Sequence, residues 1–340
     1  MQVYNILKTY FAEKTGFAAL CCHVRMTGCY IEKFTNFMNV MTKICFMKNI
    51  IVLLITVSVM LSGCGNRGKE GKKVASPIKQ FALSEVWSSD TLFRTPESVI
   101  YDTKRDVLYV TNINLEPRLK DGNGFVSKAG TDGKIIELMW IKGLNAPKGT
   151  AIAGDTLYVA DIDELVLIDI ENGTITARKT IEGIGMINDI SSDEEGNLYI
   201  SDTDANKIYR YSGGRLSVWL GQGLDKPNGL LAEKTRLLLA SMGSMDFVAF
   251  DLETKEKKVF ATEINRGDGV AFTGIPGYYL VSDWSGEIFM INEEKGKVSL
   301  LNTKEEQMNT ADICYLADKN LLIVPTFAKN SLKAFNLRIL

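Results

Sequence analysis

Asn188, Asn228 and Asp268 each open a two-residue polar step, Asn188-Asp189, Asn228-Gly229 and Asp268-Gly269, and successive steps stand 40 residues apart. Each step lies directly ahead of a short apolar run. Side-chain oxygens without histidine or thiol beside them form a hard donor set, which suits calcium before magnesium. The same residue types also mark turns, because Asn, Asp and Gly tolerate unusual backbone angles. The regular spacing, more than the residue types, carries the case for a shared site.

A fixed period of this length is the mark of a repeat architecture. The chain alternates short strands and turns, with second strands at Val107-Leu108-Tyr109-Val110, Leu157-Tyr158-Val159, Leu198-Tyr199-Ile200, Leu237-Leu238-Leu239, Tyr279-Leu280-Val281 and Leu322-Ile323-Val324. Asp132-Gly133, Asn172-Gly173 and Gly213-Gly214 fall between third and fourth strands, where tight hairpins favour such pairs. The pattern predicts an all-β protein, a six-bladed β-propeller of four-stranded blades over residues 79–340. The last unit ends after three strands, near Phe335. Phe81 to Ser88 is expected to supply the fourth, because Trp87 precedes Glu97 much as Trp140 precedes Lys148 and Trp219 precedes Asn228. Closure of this kind leaves no open edge between the first and last blades.

In a propeller the first strand of each blade lines the central channel. The same position in the six units reads Glu97, Lys148, Asn188, Asn228, Asp268 and Ala311, with Asp312 beside the last. Lys148 is a cation aimed at the same channel and could pair with Glu97. Asp161, Asp202 and Asp283 recur at the ends of second strands as turn caps. Trp284 either forms an apolar wall of the channel mouth or packs between blades. The long loop from Asn112 to Gly124 holds Arg118 and Lys120, either of which could contact an anion, since long loops commonly carry binding residues.

The chain has 340 residues, a net charge of −2 and 46% hydrophobic residues, enough to bury a sizeable core. A pI near 5.7 and the lack of a basic stripe give no footprint for nucleic acid. The single histidine is His23.

Met47-Lys48, an apolar run from Asn49 to Met60 and Leu61-Ser62-Gly63-Cys64 together resemble a bacterial lipoprotein signal, with lipid attached at Cys64. The apolar run is short for a membrane span. Residues 1–40 are read as an upstream extension, 41–63 as the signal and 64–78 as the lipidated cysteine with a flexible tether. Cys21, Cys22, His23 and Cys29 fit no standard zinc spacing. Cys314 lies in an apolar strand and reads as core. These features predict a monomer in the cell envelope, anchored by its lipid to the outer membrane and facing the periplasm, with a small molecule as its partner. A Ser-His-Asp triad is excluded once His23 is removed with the leader.

Glu97, Asn188, Asn228 and Asp268, taken with the six repeats, resemble the SMP-30, gluconolactonase and luciferin-regenerating enzyme family of six-bladed propellers. The resemblance covers the whole propeller region. It implies a divalent cation, commonly calcium, held by Glu97, Asn228 and Asp268, with Asn188 as a further polar contact to substrate. It also implies hydrolysis of a lactone or related ester, the cation polarising the carbonyl and Asp268 helping to deprotonate water. Two positions depart from the family: Ser98-Val99 follow Glu97 where Gly-Pro is common, and Met186 stands where many lactonases have arginine. Beside these family positions, Lys148, Arg118 and Trp284 are expected on the substrate side of the site from their places in the ring, the long loop and the strand end. A lipid-anchored propeller that binds a ligand without turning it over is the alternative.

Overall fold

The computed structural model describes residues 80–180 and 183–340. The leader, Cys64, the tether and the Cys21–Cys29 cluster lie outside the described residues.

Six four-stranded antiparallel sheets make up this region, and each is a run of consecutive strands except the last. The innermost strands are Pro96–Asp102, Pro147–Ala153, Ile187–Ser192, Pro227–Ala232, Gly267–Phe272 and Cys314–Leu316. Each neighbours the next around a closed ring, making a six-bladed β-propeller. Closure follows the expectation from sequence. Phe81–Ser88 pairs antiparallel with Leu332–Ile339, from Phe81 opposite Ile339 to Ser88 opposite Lys333, as the outermost strand of blade 6. The junction is sealed by the same apolar packing as elsewhere: Phe93, Val99 and Leu108 of blade 1 meet Ile323, Leu332 and Ala334 of blade 6. Each blade buries both faces against its neighbours, so the core is a set of interblade clusters, as between Leu238 and Phe247 of blade 4 and Tyr279 and Phe289 of blade 5.

The outer-strand tryptophans also repeat a physical contact. A Cβ at Gly133 would meet the Trp87 ring, and one at Gly173 would meet Trp140 Nε1. Each indole therefore packs closely against the turn of the next blade, and a glycine is required there both for space and for positive φ (81° and 61°). Cys314 packs at the edge of the cluster between blades 6 and 1. Burial pushes its thiol up to about 12, which keeps it protonated and unreactive.

One irregularity is common to five blades and positions the channel. Pairing between first and second strands breaks between Pro96 and Val99, Pro147 and Thr150, Ile187 and Ile190, Pro227 and Leu230, and Gly267 and Val270. The two residues skipped in each case are the ring residue and its follower, such as Asn188 and Asp189. Released from the ladder, their side chains turn away from the sheet, a known use of β-bulges beside binding sites. Blade 6 differs, because its first strand begins only at Cys314, and Asp312 instead forms an isolated parallel bridge with Ser98 of blade 1.

Candidate functional site

The bulges bring Glu97, Lys148, Asn188, Asn228 and Asp268 to the wall of one cavity of about 470 Å³ at the end of the channel where the loops run into the first strands. All five are buried to within 7% of full exclusion. Asn228 Nδ2 donates to Asp268 Oδ1 at 2.9 Å and to the Gly267 carbonyl at 3.1 Å, which ties blade 4 to blade 5. Asn188 Nδ2 donates to Thr203 Oγ1 at 3.2 Å, and Thr203 in turn donates to the Pro227 carbonyl at 2.8 Å. Lys148 Nζ donates to the Pro117 carbonyl at 3.0 Å, holding the long first-blade loop over the opening. It forms no ion pair with Glu97.

Two buried oxygens are left over. Glu97 Oε2 and Asn228 Oδ1 have no hydrogen-bond partner among the described residues. Leaving such an acceptor unmatched costs about 1–3 kcal/mol, and more when it is charged. Both belong to the set read from sequence as ligands. The set is two carboxylates and an amide; among the described residues no three acidic, His or Cys side chains gather as a metal-holding group.

The electrostatics lean the same way. Burial first, and Asp268 second, push the Glu97 carboxyl well above its ordinary range, against the opposing pull of Lys148. Asp268 is likewise pushed well above its ordinary range by burial and Asp312, while its bond from Asn228 and the charge of Lys148 oppose the shift. Burial lowers the Lys148 ammonium, and Glu97 partly restores it.

Behind these residues is a second pair of acids. Asp189 accepts the backbone N–H of Leu230 at 2.6 Å and that of Ile190 at 2.7 Å. Asp312 accepts the Ser98 hydroxyl at 2.6 Å and is pushed up to about 7 by burial. Both line a larger cavity of about 640 Å³, which opens on the opposite face of the ring beside the turns after the first strands. The neighbouring blades approach so closely here that a Cβ at Gly229 would overlap the Asp268 carbonyl oxygen, and one at Gly269 would lie 2.6 Å from Asp312 Oδ1.

The remaining sequence-derived residues fall as follows. Arg118 lines the cavity and pairs with Asp204 at 2.6 Å, so its charge is matched from blade 3. Lys120 pairs with Asp163 and is not part of the cavity wall. Trp284 lines the cavity, with its ring edge against Phe327 at 5.2 Å. Asp161 and Asp202 clamp the incoming loops: Asp161 accepts from the Asn145 and Ala146 N–H groups, and Asp202 from Gly185 and Met186. Sequence reasoning missed Lys226, Met242, Arg266 and Phe327, which also face the cavity. Lys226 and Arg266 each stand two residues before a ring residue, a periodic signal that was available in the chain.

No protein-family description matches the chain, and no curated protein does. Solved structures do match. Streptogramin B lyase superposes with a TM-score of 0.57 at 12% identity, covering 76% of this chain and 98% of that one. A catalytically inactive histidine-to-alanine variant of virginiamycin B lyase from Staphylococcus aureus, bound to quinupristin, gives 0.54 at 12% identity, with 76% and 99% covered. A chain of a nidogen/laminin complex gives 0.54 at 18% identity, with 64% and 84% covered. The likeness shows the fold alone.

Proposed function

We propose that the protein is a divalent-cation-dependent hydrolase of lactones or related esters, with Glu97, Asn228 and Asp268 holding the cation. The observation that carries this reading is the pair of buried oxygens, Glu97 Oε2 and Asn228 Oδ1, without partners beside the Asp268 carboxylate. A cation between them would satisfy both and would lower the cost of keeping Glu97 and Asp268 ionised. Calcium suits this all-oxygen donor set.

When bound, the cation supplies Lewis-acid polarisation of a carbonyl oxygen. The residues do the rest. Asp268, once ionised, can take a proton from water, while its bond from Asn228 fixes the carboxylate plane. Asn188, held by Thr203, lines the same cavity and offers a polar contact for substrate. The Pro117 loop, tied down by Lys148, restricts water at the mouth. The lyases that share the fold include one inactivated by loss of a histidine, and the only histidine here is His23, so their activity is not carried over.

Lys148 favours a second reading, a propeller that holds a ligand without chemistry, because a buried lysine side chain shares the channel wall with the proposed ligands. Turnover on a panel of five- and six-membered lactones, with calcium and with chelator, separates the two. Calcium-dependent turnover lost in Asp268→Asn supports hydrolysis; calcium-dependent stability without turnover on any lactone supports the binding module. The Met47–Cys64 segment supports placing the protein in the cell envelope as a lipoprotein.

A further inference from the structure

Four cations line the 470 Å³ cavity, Lys148, Arg118, Lys226 and Arg266. The first two are engaged, Lys148 by the Pro117 carbonyl and Arg118 by Asp204. Lys226 and Arg266 form no ion pair with any described residue. They occupy the same position in consecutive blades, two residues ahead of Asn228 and Asp268, and both are exposed at the cavity wall. Arg266 is also pre-positioned: its guanidinium lies 4.7 Å from the Trp284 ring centroid. Trp284 is fixed in turn by its backbone N–H donating to the Arg266 carbonyl at 2.8 Å, by Asn309 Nδ2 donating to the Trp284 carbonyl at 3.0 Å, and by a T-shaped contact between its ring and Phe327. A guanidinium stacked on an indole keeps its edge N–H groups free, and that edge matches two carboxylate oxygens.

The acids lie at the other end of the cavity. Glu97 and Asp268 line the inner end, and Met186, Met242, Ile113 and Phe327 add apolar wall. An anionic group finds open N–H donors at the rim and buried carboxyl groups at the inner end, so the rim is where it is matched. We propose that this cavity selects apolar or aromatic carboxylates, the carboxylate held at the rim by Arg266 and Lys226, the body against Trp284 and Phe327, and the neutral end directed at Glu97 and Asp268. The volume is within the range of ~300–1,000 Å³ usual for small-molecule sites. This inference rests on reading the cavity as the ligand site and adds the class of ligand to it.

The test uses a matched pair, 4-phenylbutyrate and 4-phenylbutyramide, which differ only at the charged end. Their binding is measured by titration calorimetry and by tryptophan fluorescence, with calcium and with chelator, on the wild type, Arg266→Gln, Lys226→Gln, the double variant, and Arg215→Gln as an exposed control. The wild type and the control should bind the carboxylate about tenfold or more tighter than the amide, or about 1.4 kcal/mol. The preference should shrink to about twofold in the double variant and weaken with added salt. Equal binding of the pair to the wild type, a preference that survives in the double variant, or no binding of either compound would overturn the proposal. Failure of cation binding with the preference intact would remove the hydrolytic reading and leave this one standing. Cation binding without the preference would do the reverse.

Discussion

Asn228 donates its amide hydrogen to Asp268 Oδ1 across the boundary between blades 4 and 5, and that bond turns the Asn228 carbonyl oxygen into the channel with no partner. One contact thus does two things: it locks adjacent blades, and it leaves an acceptor where a cation would sit. Asn228→Leu should remove both. We expect loss of calcium binding together with a destabilisation of about 2 kcal/mol from the lost bonds, read from the urea midpoint of the chelated protein. Calcium affinity equal to wild type in that variant would contradict the ligand assignment.

Cation binding should be linked to protons. Burial raises Glu97 and Asp268, so each holds a proton more tightly than an ordinary carboxyl, and calcium must compete with protons for them. Affinity should therefore rise with pH. Calorimetry in two buffers of different ionisation enthalpy should detect proton release. An affinity independent of pH would show that both groups are already ionised.

Asp312 makes a separate pH prediction. Its folded value near 7 lies above its ordinary value of 3.8, so between them the native state keeps a proton that the unfolded chain has lost. Stability should fall as pH rises through that window and level off above it. Asp312→Asn keeps an acceptor for Ser98 and removes the ionisation, so it should flatten the decline and gain on the order of 2 kcal/mol at pH 8 relative to wild type. Urea unfolding at pH 5 and pH 8, with chelator present, reads the difference. An identical decline in the variant would mean that other groups set it.

Gly229→Ala should be severe. The added methyl would overlap the Asp268 carbonyl oxygen, which belongs to the backbone of the next blade and cannot swing aside. We expect a loss of about 3 kcal/mol or more, in the range of overpacking at a rigid contact. Gly154→Ala is a fair comparison, since a Cβ there meets nothing within 4 Å and the cost is confined to its positive φ. A milder effect at Gly229 than at Gly154 would show that the interblade contact yields.

The blades, their four-strand pattern and the closing strand from Phe81 to Ser88 were legible because each rests on local signals repeated several times, the alternation of apolar residues and the turn pairs. The ring positions were legible for the same reason. Their use was less so. Nothing in the neighbourhood of Asn228 announces that one of its oxygens will be left bare, because that depends on Asp268, 40 residues on. The engagement of Arg118 by Asp204, 86 residues distant, was equally invisible, as was the apposition of Asp312 and Ser98 across the closing junction. Lys226 and Arg266 are the instructive omission. Their shared offset from the ring residues was readable, yet only the fold shows that they face the cavity outside any ion pair among the described residues, Lys226 coming only near enough to Asp204 to help lower its carboxyl.

Calcium titration calorimetry of the chelator-stripped protein tests the central claim most directly, comparing the wild type with Glu97→Gln and Asp268→Asn. The cation site predicts one calcium per chain in the wild type and binding weakened about a hundredfold or more, about 2.7 kcal/mol, in each variant while the fold persists by circular dichroism. No calcium binding by the wild type, or binding unchanged in both variants, would contradict it.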